Sequence, residues 1–401
     1  MSGDSQHGHG APGGLIYALQ AYSIPLISGV IIALIWANVD HHSYEALVHY
    51  SPFGHDSHYN FHYLMNDIFM ALFFGIAAKE ITEAALPGGA LNPPRKAINP
   101  LLGTVGGVVG PVGVYFAWVA LTGDPAIANG WGIPTATDIA LAWLVARIAF
   151  GTGHPAISFL LLLAVADDGI GLAIIAIFYP NPEHPVAPVF LLLVALAMII
   201  AFTLRKQKVN SFWPYLIGPG VLSWLGLFFA NLHPALALVA VVPFMPTQGF
   251  DEGMFADDGV IEKHDTLNNF EHFFKLPVDL GLFGFGLANA GVVLSSIGNA
   301  TWGVVVALLV GKTLGIFLFS YGGHVLGYKL PEGMNGRSLF VAGLTAALGL
   351  TVALFVAGVA FTEPNLQGAA KMGALFSVIA VPLVLISASV LRVHKKHQKA
   401  S

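Results

Sequence analysis

Apolar runs of roughly 17–25 residues, one of them shorter, recur about twelve times along this chain, near 13–37, 62–86, 97–121, 133–149, 154–178, 187–204, 211–230, 233–246 (the short one), 277–296, 302–325, 338–361 and 370–391. Each is close to the length a helix needs to cross a bilayer. No other feature constrains the fold as strongly. Hydrocarbon offers no partner for backbone N–H and C=O groups, so segments of this kind must satisfy them internally as helices. The composition agrees: 56% of the 401 residues are hydrophobic and 10% are charged, where a soluble domain carries roughly 25% charged residues. The expected fold is an all-α polytopic membrane protein with lipid as the solvent for most of its surface. A polar tail (1–12) precedes one transmembrane domain (13–391), and a basic tail (392–401) closes the chain. The first residues lack a basic n-region and a cleavage site after a short apolar core, so they read as a tail and not as a cleaved signal. Cysteine is absent, which excludes disulfides and cysteine metal sites.

Basic residues orient the spans. Arg95, Lys96, Arg147, Arg205, Lys206, Lys208, Lys263, Lys329, Arg337, Arg392, Lys395, Lys396 and Lys399 all fall on one side if about twelve spans alternate. The opposite connections (38–61, 122–132, 179–186, 231–232, 297–301 and 362–369) contain neither Lys nor Arg. The positive-inside rule makes the basic side cytoplasmic, with both termini there. The connection 247–276 is long and acidic, so it is expected in water on the cytoplasmic side.

Ionisable residues inside the spans are costly and mark candidate sites. Asp167 and Asp168 adjoin within the apolar stretch 159–179. Neighbouring residues project about 100° apart on a helix, so the two cannot face one partner. Lys312, deep in span ten, needs a carboxylate. One aspartate can pair with it while the other faces a watery path. The plainer readings are a carboxylate neutralised by a helix–helix hydrogen bond and a lysine that snorkels to the interface. Span four holds Pro134, Thr135, Thr137 and Asp138. A proline-induced break near residues 133–136 would free carbonyls and place Asp138 at the positive end of a half-helix. An ordinary proline kink is the alternative. Span eleven is rich in Gly and Thr at its centre (GLTAALGLT). Spans three to five and ten to twelve would correspond in two halves of opposite topology, with interrupted spans four and eleven crossing at mid-membrane. Interruptions at matching positions of such repeats point to a transport site.

Other features are less specific. His41, His42, His49, His55, His58 and His62 cluster around the connection 38–61, without the regular spacing of a zinc site. Loose alternation over 44–50 suggests a short strand, used in a hairpin for dimer contact. His233 opens span eight and titrates near neutral pH unless perturbed. Lys79, Glu80 and Glu83 end span two, either as an acidic funnel or as interfacial charges.

The runs IPTATDIA, LLLLAVADDGIG, LFGFGLANAGV, GKTLGIFLF and GLTAALGLTVALFVAGVAF resemble the bacterial NhaA family of sodium/proton antiporters, over about residues 14–392. That family is itself a standard example of inverted repeats and broken helices. The resemblance implies electrogenic export of Na⁺ or Li⁺ in exchange for H⁺ by alternating access, in service of pH and sodium homeostasis. It casts Asp168 as the main Na⁺/Li⁺ and proton carrier and Asp167 as the partner of Lys312. Asp138 and Thr137 become the polar pair of the broken span four. It also implies a homodimer in the bacterial inner membrane, formed through a hairpin in 38–61. A pH-response region maps onto Glu80, His233, Glu271 and His272. The chain departs from the family pattern after Lys79-Glu80, and at Lys275-Leu276-Pro277, where a histidine-proline pair is common. These departures bear on the pH profile.

Two rival classes remain. An ion-coupled carrier of a small organic anion predicts a basic intramembrane site, for which the sequence offers no intramembrane arginine. An intramembrane aspartyl protease needs two aspartates sharing a proton, which Lys312 would oppose. The resemblance implies a transporter and not an enzyme. Nothing in the sequence calls for a cofactor or a nucleic-acid partner; the partners are the transported ions and the bilayer.

Overall fold

The computed structural model describes residues 23–393, apart from 53, 55–58, 88, 90, 92–93, 181–184 and 248–264. The N-terminal tail, the C-terminal tail beyond Val393, most of the acidic connection with Lys263, and His55 and His58 lie outside the described residues. All regular structure among the described residues is helical. In chain order the main helices are α1 (Ile24–Val39), α2 (His41–Val48), α3 (Phe61–Ala85), α4 (Pro94–Thr122), α5 (Ile139–Phe150), α6 (Pro155–Phe178) and α7 (Pro188–Lys206). They continue with α8 (Trp213–Phe229), α9 (Thr266–Asn289), α10 (Asn299–Val325), α11 (Gly336–Thr345), α12 (Thr351–Ala360) and α13 (Pro364–Leu391). Two 3₁₀ segments, Pro125–Thr135 and Pro234–Phe244, interrupt this series. Among the described residues, six helices are long and apolar enough to cross a membrane, or seven if the bent pair Pro125–Thr135 and α5 counts as one. Their outward faces carry exposed aliphatics such as Ile35, Leu192, Ile199, Ile386 and Val390, as lipid-facing surfaces do.

Three differences from the sequence-based expectation have local causes. Residues 44–50 hold no strand: α2 is helical from His41 to Val48, and the Asp40 side chain caps it by accepting from the Ser43 N–H at 3.1 Å. Tyr44 and Val48, one turn apart, are its buried face, so the apparent alternation is a helical stripe. The connection 247–276 is not loop throughout. Asp265 caps the Asn268 N–H at 2.9 Å and starts α9 at Thr266. The first half of the expected span four begins at Pro125, inside what the sequence suggests is a connection.

Helix α4 packs against α10 through interleaved glycines. Gly106 and Gly110 on α4 meet Gly311 and Gly315 on α10, and a Cβ at Gly106, Gly110 or Gly315 would run into a carbonyl oxygen of the facing helix. Small residues four apart allow such close backbone approach in membranes. The contact fixes Lys312, which follows Gly311 directly. Gly110→Leu is expected to prise the helices apart at a cost of about 1–3 kcal/mol, and a lowered thermal midpoint in detergent with weakened transport checks it. An unchanged midpoint would contradict this packing.

Candidate functional site

Two interrupted helices meet at the centre of the molecule. After the 3₁₀ segment, Ala136 and Asp138 adopt extended backbone and α5 departs at 61° to it. Pro134 lies inside the 3₁₀ segment, to which it supplies no N–H, and the segment stops one residue later at Thr135. The 3₁₀ segment is held by buried rings: the Tyr115 hydroxyl donates to the Ile127 carbonyl (2.9 Å), and Tyr179 Oη accepts from Gly132 N–H (2.8 Å) while donating to the Asn129 carbonyl (2.8 Å). On the other side, α11 ends at Thr345 and α12 starts at Thr351. The breaks join through backbone: Asp138 N–H donates to the Leu348 carbonyl at 2.7 Å.

Asp138 lies at the start of two half-helices. Its Oδ1 accepts from Leu141 N–H (3.1 Å) in the first turn of α5, and its Oδ2 accepts from Thr351 N–H (3.3 Å) and Thr351 Oγ1 (3.0 Å) at the start of α12. Both oxygens are thus met by donors at positive helix ends, an arrangement suited to a carboxylate.

The aspartate pair on α6 divides in two, as the 100° spacing requires. Asp167 and Lys312 are both 0% exposed and are joined at 2.6 Å. Lys312 Nζ also donates to the Thr135 carbonyl (2.5 Å), which the broken backbone leaves free, and Thr137 Oγ1 donates to Asp167 Oδ2 (2.7 Å). The two bonds to Asp167 fall on one oxygen; among the described residues its Oδ1 has no hydrogen-bond partner. Asp168 projects away, toward a narrow crevice lined by Phe74, Ala77, Leu172 and Val352. Among the described residues no donor reaches its carboxylate, and its Oδ1 is buried without a partner. Asp167, Asp138 and Lys312 are near enough for their charges to act on it. Buried acceptors are normally satisfied. Two carboxylates with spare acceptor oxygens in one dry site are matched to a small bare cation, or to a proton.

A second cavity opens toward the Lys- and Arg-poor face. It measures about 450 Å³, and its walls include Asn60, His62, Asp67, His233, Asn289 and Phe355. The rings of Phe355 and Phe74 meet edge to face at 5.3 Å. Phe74 also walls the Asp168 crevice, so this ring pair separates the cavity from Asp168.

The other sequence-predicted residues divide into two places. Glu80 and Glu271 converge with Glu83 on Lys79, whose Nζ lies 3.5 Å from Glu80, 2.5 Å from Glu271 and 2.7 Å from Glu83. His272 is exposed on the neighbouring face of α9. His233 belongs elsewhere: its ring bonds the Tyr179 carbonyl and stands edge-on to Phe355. Sequence reasoning misses Thr351, Glu271 as a partner of Lys79, and Lys371, which is buried on α13. Of these, only Lys371 carries a direct signal, a charge at the start of the apolar run 370–391.

The family model described as "Na+/H+ antiporter 1" matches residues 16–388. A protein of Geobacter metallireducens named Na(+)/H(+) antiporter NhaA is 56% identical over 382 residues, covering 95% of this chain and 98% of the relative. One of the same name from Jannaschia is 45% identical over 417 residues, covering 94% and 98%. Among solved structures, the sodium proton antiporter MjNhaP1 of Methanocaldococcus jannaschii shares the fold with a TM-score of 0.55 at 14% identity, covering 94% of this chain and 96% of that one. The chain belongs to the Na+/H+ antiporter 1 family.

Proposed function

We propose that this chain exchanges Na⁺ or Li⁺ for H⁺ across the bacterial inner membrane, exporting the metal ion. The observation that carries this reading is the division of labour on α6: Asp167 is locked to Lys312 at 2.6 Å, while Asp168 keeps a buried oxygen without a donor beside a crevice. Family membership and relatives named as Na(+)/H(+) antiporters support it. The organic-anion alternative has no comparable support, since the site presents acceptors and its one ammonium is already paired.

Competition at Asp168 gives the coupling. The carboxylate holds a proton or a metal ion, never both. When it is deprotonated on the cytoplasmic side it attracts Na⁺; release on the far side lets a proton take the place. A cycle that moves more H⁺ than Na⁺ needs a second titrating group, and the Asp167–Lys312 pair is the one placed for it. Alternating access follows if the half-helices around Asp138 tilt, because both dipole ends share that one carboxylate. The same reading keeps about twelve spans in two inverted repeats, spans three to five and ten to twelve, and the charge asymmetry of the connections supports cytoplasmic termini. The Lys79–Glu80–Glu83–Glu271 group lies toward the basic face, where protons from the cytoplasm arrive, so it is assigned the pH response. A homodimer is part of the same reading.

The test is dissipation of a pH gradient in proteoliposomes on addition of Na⁺, Li⁺ or K⁺ across a pH series. Na⁺ and Li⁺ should collapse the gradient and K⁺ should not, with activity rising as the pH is raised. A response to an organic anion, or none to Na⁺ and Li⁺ at any pH, overturns the reading.

A further inference from the structure

Lys371 is a second buried cation that the exchange site does not use. It is 7% exposed, about two turns into α13 from the Glu363 that caps the helix. No hydrogen bond or ion pair holds its ammonium among the described residues; the only carboxylate whose charge acts on it is the more distant Glu45, which is itself paired with His49 at 2.9 Å. An ionisable side chain kept at this depth without a partner calls for a functional explanation.

Its place supplies one. The α12 residue Gly358 stands between Lys371 and Asn289: a Cβ there would lie 3.9 Å from Lys371 Cε and 4.0 Å from Asn289 Oδ1. Gly358, Asn289 and His62 all line the 450 Å³ cavity, and the charge of Lys371 acts on His62. The amide groups around it are committed to each other, since Asn289 Nδ2 donates to Asn66 Oδ1 at 3.0 Å and Asn66 Nδ2 lies 2.9 Å from the His62 ring. They leave nothing to neutralise the lysine. Beyond the cavity lie the Phe355–Phe74 contact and then Asp168. Any ion passing between the Lys- and Arg-poor face and Asp168 by this route passes Gly358, behind which the Lys371 side chain packs. Asp67, which lines the same cavity, offsets part of that lysine's field.

We propose that Lys371 is an electrostatic barrier beside the outer cavity: in its protonated state its positive charge weakens capture of metal cations from outside and so favours release in the export direction. The inference rests on the antiport reading and on the basic face being cytoplasmic. A single charge acting across a partly hydrated cavity, opposed by Asp67, alters cation affinity roughly three- to tenfold.

The experiment measures the apparent KM for Na⁺ at each face, using right-side-out and everted membrane vesicles, for the unaltered protein and for Lys371→Gln, Lys371→Met, Lys371→Arg and Asp67→Asn. Gln and Met should lower the external KM three- to tenfold and leave the cytoplasmic KM unchanged; Arg should keep the original values; Asp67→Asn should raise the external KM. The last variant carries the test if the Lys371 substitutions fail to fold. An external KM that does not move, KM values that move equally at both faces, or an Arg variant that behaves like Gln would overturn the barrier. Lack of exchange by the unaltered protein would remove the antiport reading, and the barrier with it.

Discussion

Asp168→Asn is expected to abolish exchange and leave the fold standing. The carboxylate accepts no hydrogen bond among the described residues, so the amide breaks no native contact and removes a costly buried charge, and the thermal midpoint should not fall. Transport depends on the charge. An amide cannot hold and release a proton in this pH range, and it offers a metal ion only a neutral oxygen. A loss of about 3 kcal/mol in cation binding is roughly a hundredfold, and loss of proton exchange removes the rest. Ion flux in proteoliposomes, read beside the thermal midpoint of the same preparation, checks both halves. Sodium-dependent proton flux near the original rate would show that another group carries the ions.

Lys312→Ala should do the reverse and damage stability first. Lys312 bonds Asp167 and the Thr135 carbonyl at once, tying α10 to α6 and to the end of the 3₁₀ segment. Removing it leaves Asp167 as a buried carboxylate with only Thr137 donating to it, which costs on the order of 3 kcal/mol when one partner of a buried pair is deleted. The thermal midpoint should fall by several degrees, and the charge moved per cycle should fall with it. Adding Asp167→Asn should recover much of the stability, because removing both partners leaves no uncompensated charge. The pair has the assigned role only if midpoint and charge per cycle both respond to Lys312→Ala.

Much of this site was legible because the membrane makes charge conspicuous. An aspartate pair and a lysine inside apolar runs stand out against their surroundings, and their cost implies that they meet. The 100° step between neighbouring helix residues separates Asp167 from Asp168 before any coordinates are seen. Pro134 marks a break, although the structure puts the extended stretch at Ala136–Asp138, slightly later than the proline suggests. What stayed hidden are partners far along the chain. Asp138 and Thr351 are 213 residues apart, and Lys79 and Glu271 belong to different helices whose packing no periodicity reveals. Helix α2 looks like a strand in the sequence because eight residues show too few turns to separate alternation from a one-sided stripe. Most of Pro125–Thr135 falls in the expected connection 122–132, because glycine and proline there mask a 3₁₀ helix that tyrosine side chains hold in place.

The central claim is that a proton and a metal ion exclude each other at Asp168. Purified protein in weakly buffered detergent solution tests it without transport: Na⁺, Li⁺ or K⁺ is added and released H⁺ is followed with a pH indicator. Na⁺ and Li⁺ should each release protons, K⁺ should release none, and Asp168→Asn should be silent for all three. Sodium binding detected by calorimetry with no proton release, or equal release from the Asp168→Asn protein, would contradict the account.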